Sequence, residues 1–231
     1  MLNTSVSSAP ICENFPLFCP REVSGSDLAL AFRLRDADVN LCEVRRPLEQ
    51  ALAEELQCWT GTAAFTAHGR VSVLPDSIEA FLKPFAEGQS KIFFRQELAR
   101  LLPIFTALTE VAEPTLTLGI VDHDACRKFH TDEVGIRMLC TYTGPGTEWV
   151  PNAGVRREHL GRGDIAWQEA NALVLGKDTV TQRSGEGDLL WLKGEAWPGN
   201  RGWGAVHRSP SVQGSGVRRL LLKIDMHPCA C

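Results

Sequence analysis

Aromatic side chains are scarce in this sequence, 7% of the residues, and a single tyrosine, Tyr142, is among them. No apolar run approaches the roughly 20 residues that a membrane-spanning helix needs. Lysine and arginine form no run either, and the formal net charge is −4. The chain thus lacks the basic footprint that holds nucleic acid or an anionic membrane surface. A small metabolite or a small protein surface is the partner to expect. Met1 to Pro10 is polar, with neither the basic nor the apolar part of a secretory leader, so a cytoplasmic location is expected. Internal repeats and low-complexity tracts are missing too.

What is present suits one large domain. The 231 residues are 44% apolar and 23% charged, enough to bury a core without covalent staples. Eight cysteines occur: Cys12, Cys19, Cys42, Cys58, Cys126, Cys140, Cys229 and Cys231. Their even number admits disulfides, but a chain of this size does not need them, and free thiols in a reducing compartment are expected. The tail Cys229-Ala230-Cys231 offers two soft ligands, which do not complete a metal site; a frayed end is the plainer reading.

Residues 1–26, rich in Ser, Pro and Asn, read as a flexible arm. Residues 27–231 read as a single domain, with 27–112 mainly a helical layer and 113–227 the β core. Leu28 to Val44 shows no clear period. Pro47 opens a helix that carries Leu48, Leu52, Leu56 and Trp59 and closes at Gly61. Asp76 to Phe85 is a second helix, capped by Asp76 or Ser77. Lys91 to Val111 is a third, with a broad apolar stripe and Pro103 predicting a kink or a break. From Pro114 onward β-formers take over. Thr115–Val121, Gly135–Thr143, Asp178–Arg183, Gly187–Leu192, Trp203–His207 and Val217–Asp225 read as strands, and Ile165–Leu175 is ambiguous. Helices followed by about seven or eight short strands predict an α+β fold, a sheet sandwich with helices packed outside.

The chemistry centres on Ala125 to Tyr142. His130 and Asp132 are two apart, so an extended chain points both to one side. A lone HxD is a weak signal, more often a surface loop with a satisfied histidine than a metal site. Here the β-rich run after Gly135 sets the pair at a strand edge, and His207 lies at another. Two histidines and one carboxylate form the facial triad that suits non-haem Fe(II). On the strand Val217–Asp225, parity puts Arg218, Leu220, Leu222 and Ile224 on one face and Arg219, Leu221, Lys223 and Asp225 on the other. If the first face packs on helices, Arg219 looks inward, where a guanidinium would fork onto a carboxylate such as the distal one of 2-oxoglutarate. With the parity inverted, Arg218 takes that place.

His130-x-Asp132, then Gly187-Asp188-Leu-Leu, His207, and Arg219 leading into Leu-Leu-Leu resembles the order in Fe(II)/2-oxoglutarate dioxygenases of the double-stranded β-helix (jelly roll, cupin-like) fold. More closely, the chain resembles the bacterial family called domain of unknown function 1826. That likeness rests on Cys126-Arg-Lys-Phe-His-Thr-Asp132, on Arg137 to Trp149, and on His207-Arg-Ser-Pro210 with Arg219–Leu222 and Asp225. Asp38–Leu41 and Arg46–Leu48 fit as well, so it covers Arg33 to Asp225. A charged insert, Arg156 to Arg162, departs from the dioxygenase pattern. The dioxygenase resemblance implies Fe(II) on His130, Asp132 and His207, and 2-oxoglutarate as co-substrate on Arg219. It also implies hydroxylation of a small-molecule or protein substrate whose identity the sequence does not carry.

Other residues invite roles. Tyr142 could hydrogen-bond the co-substrate or belong to the core. Arg137 could add positive charge at the pocket and bind substrate, or face outward. Trp149 and Glu148 could line the pocket mouth, or Trp149 could simply pack. Cys126 and Cys140 lack a base partner for nucleophilic work. His123, between Asp122 and Asp124, could form a rival metal cluster, with a solvated acidic turn the plainer account, and His68, His159 and His227 look isolated. The competing reading is a non-catalytic cupin-like protein, a zinc sensor or store on the same three ligands. A peptide-binding scaffold with a vestigial site is a third.

Overall fold

Two opposed apolar faces organise the computed structural model, which describes residues 19–62 and 65–226. Strand β1 (Arg21–Gly25) and a 3-10 helix at Leu28–Arg35 lead into β2 (Val39–Val44) and helix α1 (Gln50–Thr62). Next come β3 (Thr66–Arg70), α2 (Pro75–Leu82), α3 (Gln89–Thr109), β4 (Thr115–Val121), β5 (Ile136–Thr143) and β6 (Glu148–Trp149). The chain ends through α4 (Trp167–Val174), β7 (Gln182–Arg183), β8 (Leu189–Lys193), β9 (His207–Arg208) and β10 (Arg219–Asp225). Seven strands form a large sheet in the order β1-β2-β8-β5-β10-β4-β3, and three form a small one, β7-β6-β9. An isolated antiparallel bridge joins His130 to His207 at the edge of the small sheet.

Strand β10 runs antiparallel to both its neighbours, with Leu222 opposite Leu118 on β4 and Cys140 on β5. Because side chains alternate across a strand, each of these strands has two different faces. Leu220, Leu222 and Ile224 join Leu116, Leu118, Met138, Cys140 and Tyr142 on the face under the helices, all buried. Helix α3 supplies Phe94, Leu98, Leu101, Leu102, Phe105 and Leu108 to the same core, a stripe at helical spacing. Each fully buried side chain of this kind contributes about 1.5–3 kcal/mol. The opposite face carries a smaller cluster, Leu41, Leu139, Leu190, Leu192, Trp149 and Ala205, between the two sheets.

Several expectations need correction. The arm over 1–26 ends earlier, since Arg21–Gly25 is paired with β2; residues 1–18 lie outside the described residues, with Cys12, as do His227 and the Cys229–Cys231 tail. The helical layer over 27–112 also holds β2 and β3. All six residues of β2 are buried, so the strand is covered on both faces and carries no alternation to read. Pro103 sits inside α3 without ending it; proline removes one backbone donor, and a fully packed apolar stripe outweighs that loss. Helix α2 is capped at Leu74 with Pro75 at its first turn, and the Ser77 hydroxyl accepts from the Ser72 N–H instead. The ambiguous stretch Ile165–Leu175 is helix α4. The five described cysteines, Cys19, Cys42, Cys58, Cys126 and Cys140, are free. Among the described residues no helix is long and apolar enough to cross a membrane.

A candidate metal centre and its pocket

His130 and His207 are each other's backbone partners. The N–H of each donates to the carbonyl of the other at 3.0 Å, which mounts the two imidazoles side by side with ring centroids 4.5 Å apart. Asp132 follows two residues after His130. One atom from each of the three side chains lies within 4.8 Å of the others. Asp132 Oδ1 is 3.6 Å from His130 Nε2, and Oδ2 is 3.2 Å from His207 Nε2.

The protons on the rings follow from their other contacts. Nδ1 of His130 lies 2.9 Å from the carbonyl of Lys128, and Nδ1 of His207 lies 3.1 Å from that of Ala205. A carbonyl only accepts, so Nδ1 is the protonated nitrogen on a neutral ring and Nε2 holds a bare lone pair. Both Nε2 atoms face the Asp132 carboxylate, whose buried Oδ2 has no hydrogen-bond donor. Burial, then the neighbouring His207, lowers the pKa of His130. Burial pushes the Asp132 carboxyl up, but a His207 that carries its second proton, together with the Arg137 guanidinium, outweighs it and holds it well below the usual carboxylate range. Near neutral pH, His130 is thus a free base and Asp132 an anion, the forms in which they ligate metal. Once His207 Nε2 is free of a proton as well, three lone pairs converge in a set that fits a divalent cation.

Asp132 is held from behind. Arg137 Nη1 donates to its Oδ1 at 2.5 Å, while Nε and Nη2 fork onto Asp225 at 2.6 and 2.9 Å. Asp225 stands opposite Arg137 in the β5–β10 register. Two carboxylates therefore engage Arg137, which faces the metal centre and not outward, and its side chain also lines the pocket beside the histidines. Asn171 on α4 accepts from the Phe129 N–H and donates to the Arg127 carbonyl, fixing the chain just before His130. Glu195 accepts from the N–H groups of Gly202 and Gly204, fixing the approach to His207. Neither Asn171, Glu195 nor Asp225 stands out in sequence, because each acts through a partner distant in the chain.

A pocket of about 210 Å³ opens beside the two histidines, lined also by Arg137, Thr147, Leu221 and Lys223. Arg219 lies on the same strand face as Leu221 and is 1% exposed. Its guanidinium donates to the Pro145 carbonyl at 2.7 Å and to Thr141 Oγ1 at 3.1 Å, and no carboxylate pairs with it among the described residues. Burial lowers its pKa to about 10, so it stays a cation. Arg218 points the other way, out to the Gly61 carbonyl at 2.8 Å; Arg219 lies on the pocket side of the strand but behind the residues that line the cavity.

Tyr142 is placed away from the pocket. It belongs to the helix-facing side of β5, edge-on to Phe93 and Phe94, with its hydroxyl donating to Glu97 at 2.9 Å. A co-substrate contact is out of its reach. Trp149 lies opposite His207 in the small sheet and packs in the cluster between the sheets, not on the pocket lining. Glu148 is engaged by Arg183 and Arg208. Cys126 lies on the pocket lining, whereas the buried Cys140 thiol is pushed up to about 12 by burial. His123 pairs with Asp122 in the open, and His68 contacts Thr117. Among the described residues, His130, Asp132 and His207 are the one group with ligand spacing.

The fold has relatives among solved structures. The dioxygenase for auxin oxidation 1 from Arabidopsis thaliana, in a binary complex with 2-oxoglutarate, is similar with a TM-score of 0.52 at 10% identity, covering 92% of this chain and 94% of that one. The dioxygenase for auxin oxidation in rice is similar with a TM-score of 0.49 at 13% identity, covering 90% and 83%. At such identities the likeness is one of fold. No curated protein matches the sequence. The family model described as "Protein of unknown function (DUF1826)" matches residues 25–225.

Proposed function

This chain belongs to the DUF1826 family, and we propose that it is a non-haem Fe(II)/2-oxoglutarate-dependent oxygenase built on a double-stranded β-helix. The observation that carries the reading is the convergence of two bare imidazole nitrogens and one ionised carboxylate oxygen beside an open pocket. Such a set leaves coordination positions free and suits Fe(II). The layering supports the fold reading: the seven-stranded sheet and the β7-β6-β9 sheet share an apolar cluster between them, and the His130 bridge extends the small sheet at β9.

Each residue has a task. His130, Asp132 and His207 would hold the ion, and the carbonyls behind both Nδ1–H groups raise the basicity of the Nε2 atoms. Arg137 occupies Asp132 Oδ1 and so leaves Oδ2 for the metal. Arg219 has five N–H donors, and two are used. A buried guanidinium without a counter-ion is costly, and the distal carboxylate of 2-oxoglutarate would complete it. Leu139, Leu221 and Val121 keep that side of the pocket apolar. Bound there, Fe(II) supplies the redox chemistry that couples oxidative decarboxylation of 2-oxoglutarate to hydroxylation of a substrate.

The test is anaerobic addition of Fe(II) and 2-oxoglutarate to the full chain. A weak visible charge-transfer band, lost in Arg219→Met and in His207→Ala, is expected. Tight zinc binding with no spectral or binding response to 2-oxoglutarate would instead establish the non-catalytic zinc protein.

A further inference from the structure

Three of the side chains that line the pocket are cations, Arg137, Arg208 and Lys223, and none is a carboxylate. Two of the three are spoken for. Arg137 bridges Asp132 and Asp225. Arg208 binds Glu148 Oε2 at 2.6 Å, and its guanidinium lies 4.4 Å from the centroid of the Phe129 ring. Lys223 differs. Its ammonium makes no hydrogen bond among the described residues, and its ion pair is with Asp225 at 3.6 Å, an anion that the Arg137 fork already neutralises. The side chain is 33% exposed, so the charge is neither buried nor bathed in bulk water.

The position of Lys223 gives this charge a purpose. It shares its strand face with Arg219 and Leu221, two residues beyond Leu221. Thr117 stands opposite it on β4, its hydroxyl 2.9 Å from His68 Nδ1 and able to accept there while donating into the pocket, and the Thr66 side chain lines the same wall. The same lining carries an apolar set, Ile120, Val121, Ala125, Leu139 and Leu221. The chain of contacts Lys223–Asp225–Arg137–Asp132 sets the ammonium a short way from the metal centre.

We infer that the pocket takes a small carboxylic acid with an apolar body, its carboxylate held by Lys223 and the Thr66 and Thr117 hydroxyls while the body lies toward His130 and His207. Calling this acid the substrate rests on the oxygenase reading; the binding itself does not. An ammonium on a carboxylate in a partly desolvated site favours the charged ligand over its neutral isostere by about tenfold or more.

The experiment compares phenylacetate with uncharged phenylacetamide. Their affinities for the full chain are measured by ligand-detected NMR, as purified and after anaerobic loading with Fe(II) and 2-oxoglutarate. Phenylacetate is expected to bind about tenfold more tightly. Lys223→Met should abolish that preference and Lys223→Arg retain it, with the affinity for 2-oxoglutarate unchanged in both. Equal binding of the two probes, no binding of phenylacetate, or a preference that survives in Lys223→Met overturns the inference. Loss of 2-oxoglutarate binding in Lys223→Met also overturns it, by giving Lys223 to the co-substrate, and leaves the oxygenase standing. A charge preference that depends on Lys223 in a chain that binds no 2-oxoglutarate supports the acid site and removes the oxygenase instead.

Discussion

Arg137 connects the metal centre to the sheet, and its loss isolates two effects. Without it Asp132 Oδ1 is free, and the carboxylate can turn; Asp225 is left buried without its fork. Arg137→Met is expected to weaken metal affinity by about 10–100-fold, the usual scale for removing a group that orients a ligand, as read by competition with a chelator. Tyr142→Phe is the contrasting case. It removes one hydroxyl hydrogen bond to Glu97, should cost about 1 kcal/mol in urea unfolding, and should leave 2-oxoglutarate affinity unchanged. The sequence left Tyr142 open, although strand parity bears on it. Position 142 is of the opposite parity to 137, 139 and 141, so Tyr142 and Arg137 never share a strand face. On β10 the same rule separates Arg219 from Arg218. The Arg137–Asp225 pairing was not legible, because strand register depends on a neighbour 88 positions away.

Among the elements, β8 ends where the Asp132 loop comes closest. Gly194 donates its N–H to the Gly135 carbonyl, and a Cβ there would lie 2.7 Å from the Asp132 carbonyl oxygen and closer still to that of Val134. Both obstacles are backbone, which cannot swing aside. Gly194→Ala should therefore destabilise the fold by about 1–3 kcal/mol and also weaken metal binding, while Gly69→Ala, at an open site with ordinary backbone geometry, disturbs the metal centre little. Calorimetry with and without metal separates the two effects. Elements with a clean period were readable from sequence: the apolar stripe of α3, the alternation of β4 and β10. Those whose burial hides their period were not, β2 being covered on both faces. Strands as short as β6, β7 and β9, two residues each, carry no pattern of their own and exist through their partners.

For the molecule as a whole, the helix layer and the sheet are joined by a buried charge. Glu97 on α3 accepts from Arg46, Arg100 and Tyr142. Burial alone would raise its pKa, but the Arg46 hydrogen bond and charge and the Tyr142 hydroxyl outweigh it and hold the value below normal. A group depressed in the folded state adds stability above its unfolded pKa of about 4.3, and that contribution fades as the pH falls toward the folded value. Acid unfolding followed by circular dichroism should be steep there in the native chain and flatter in Glu97→Gln. The mutual backbone pairing of His130 and His207 reaches further. An ion gripping both rings would act as a reversible cross-link between distant points of the chain. Loading the ion should then slow proteolytic nicking of the turns between them, and a chelator should restore the faster cleavage.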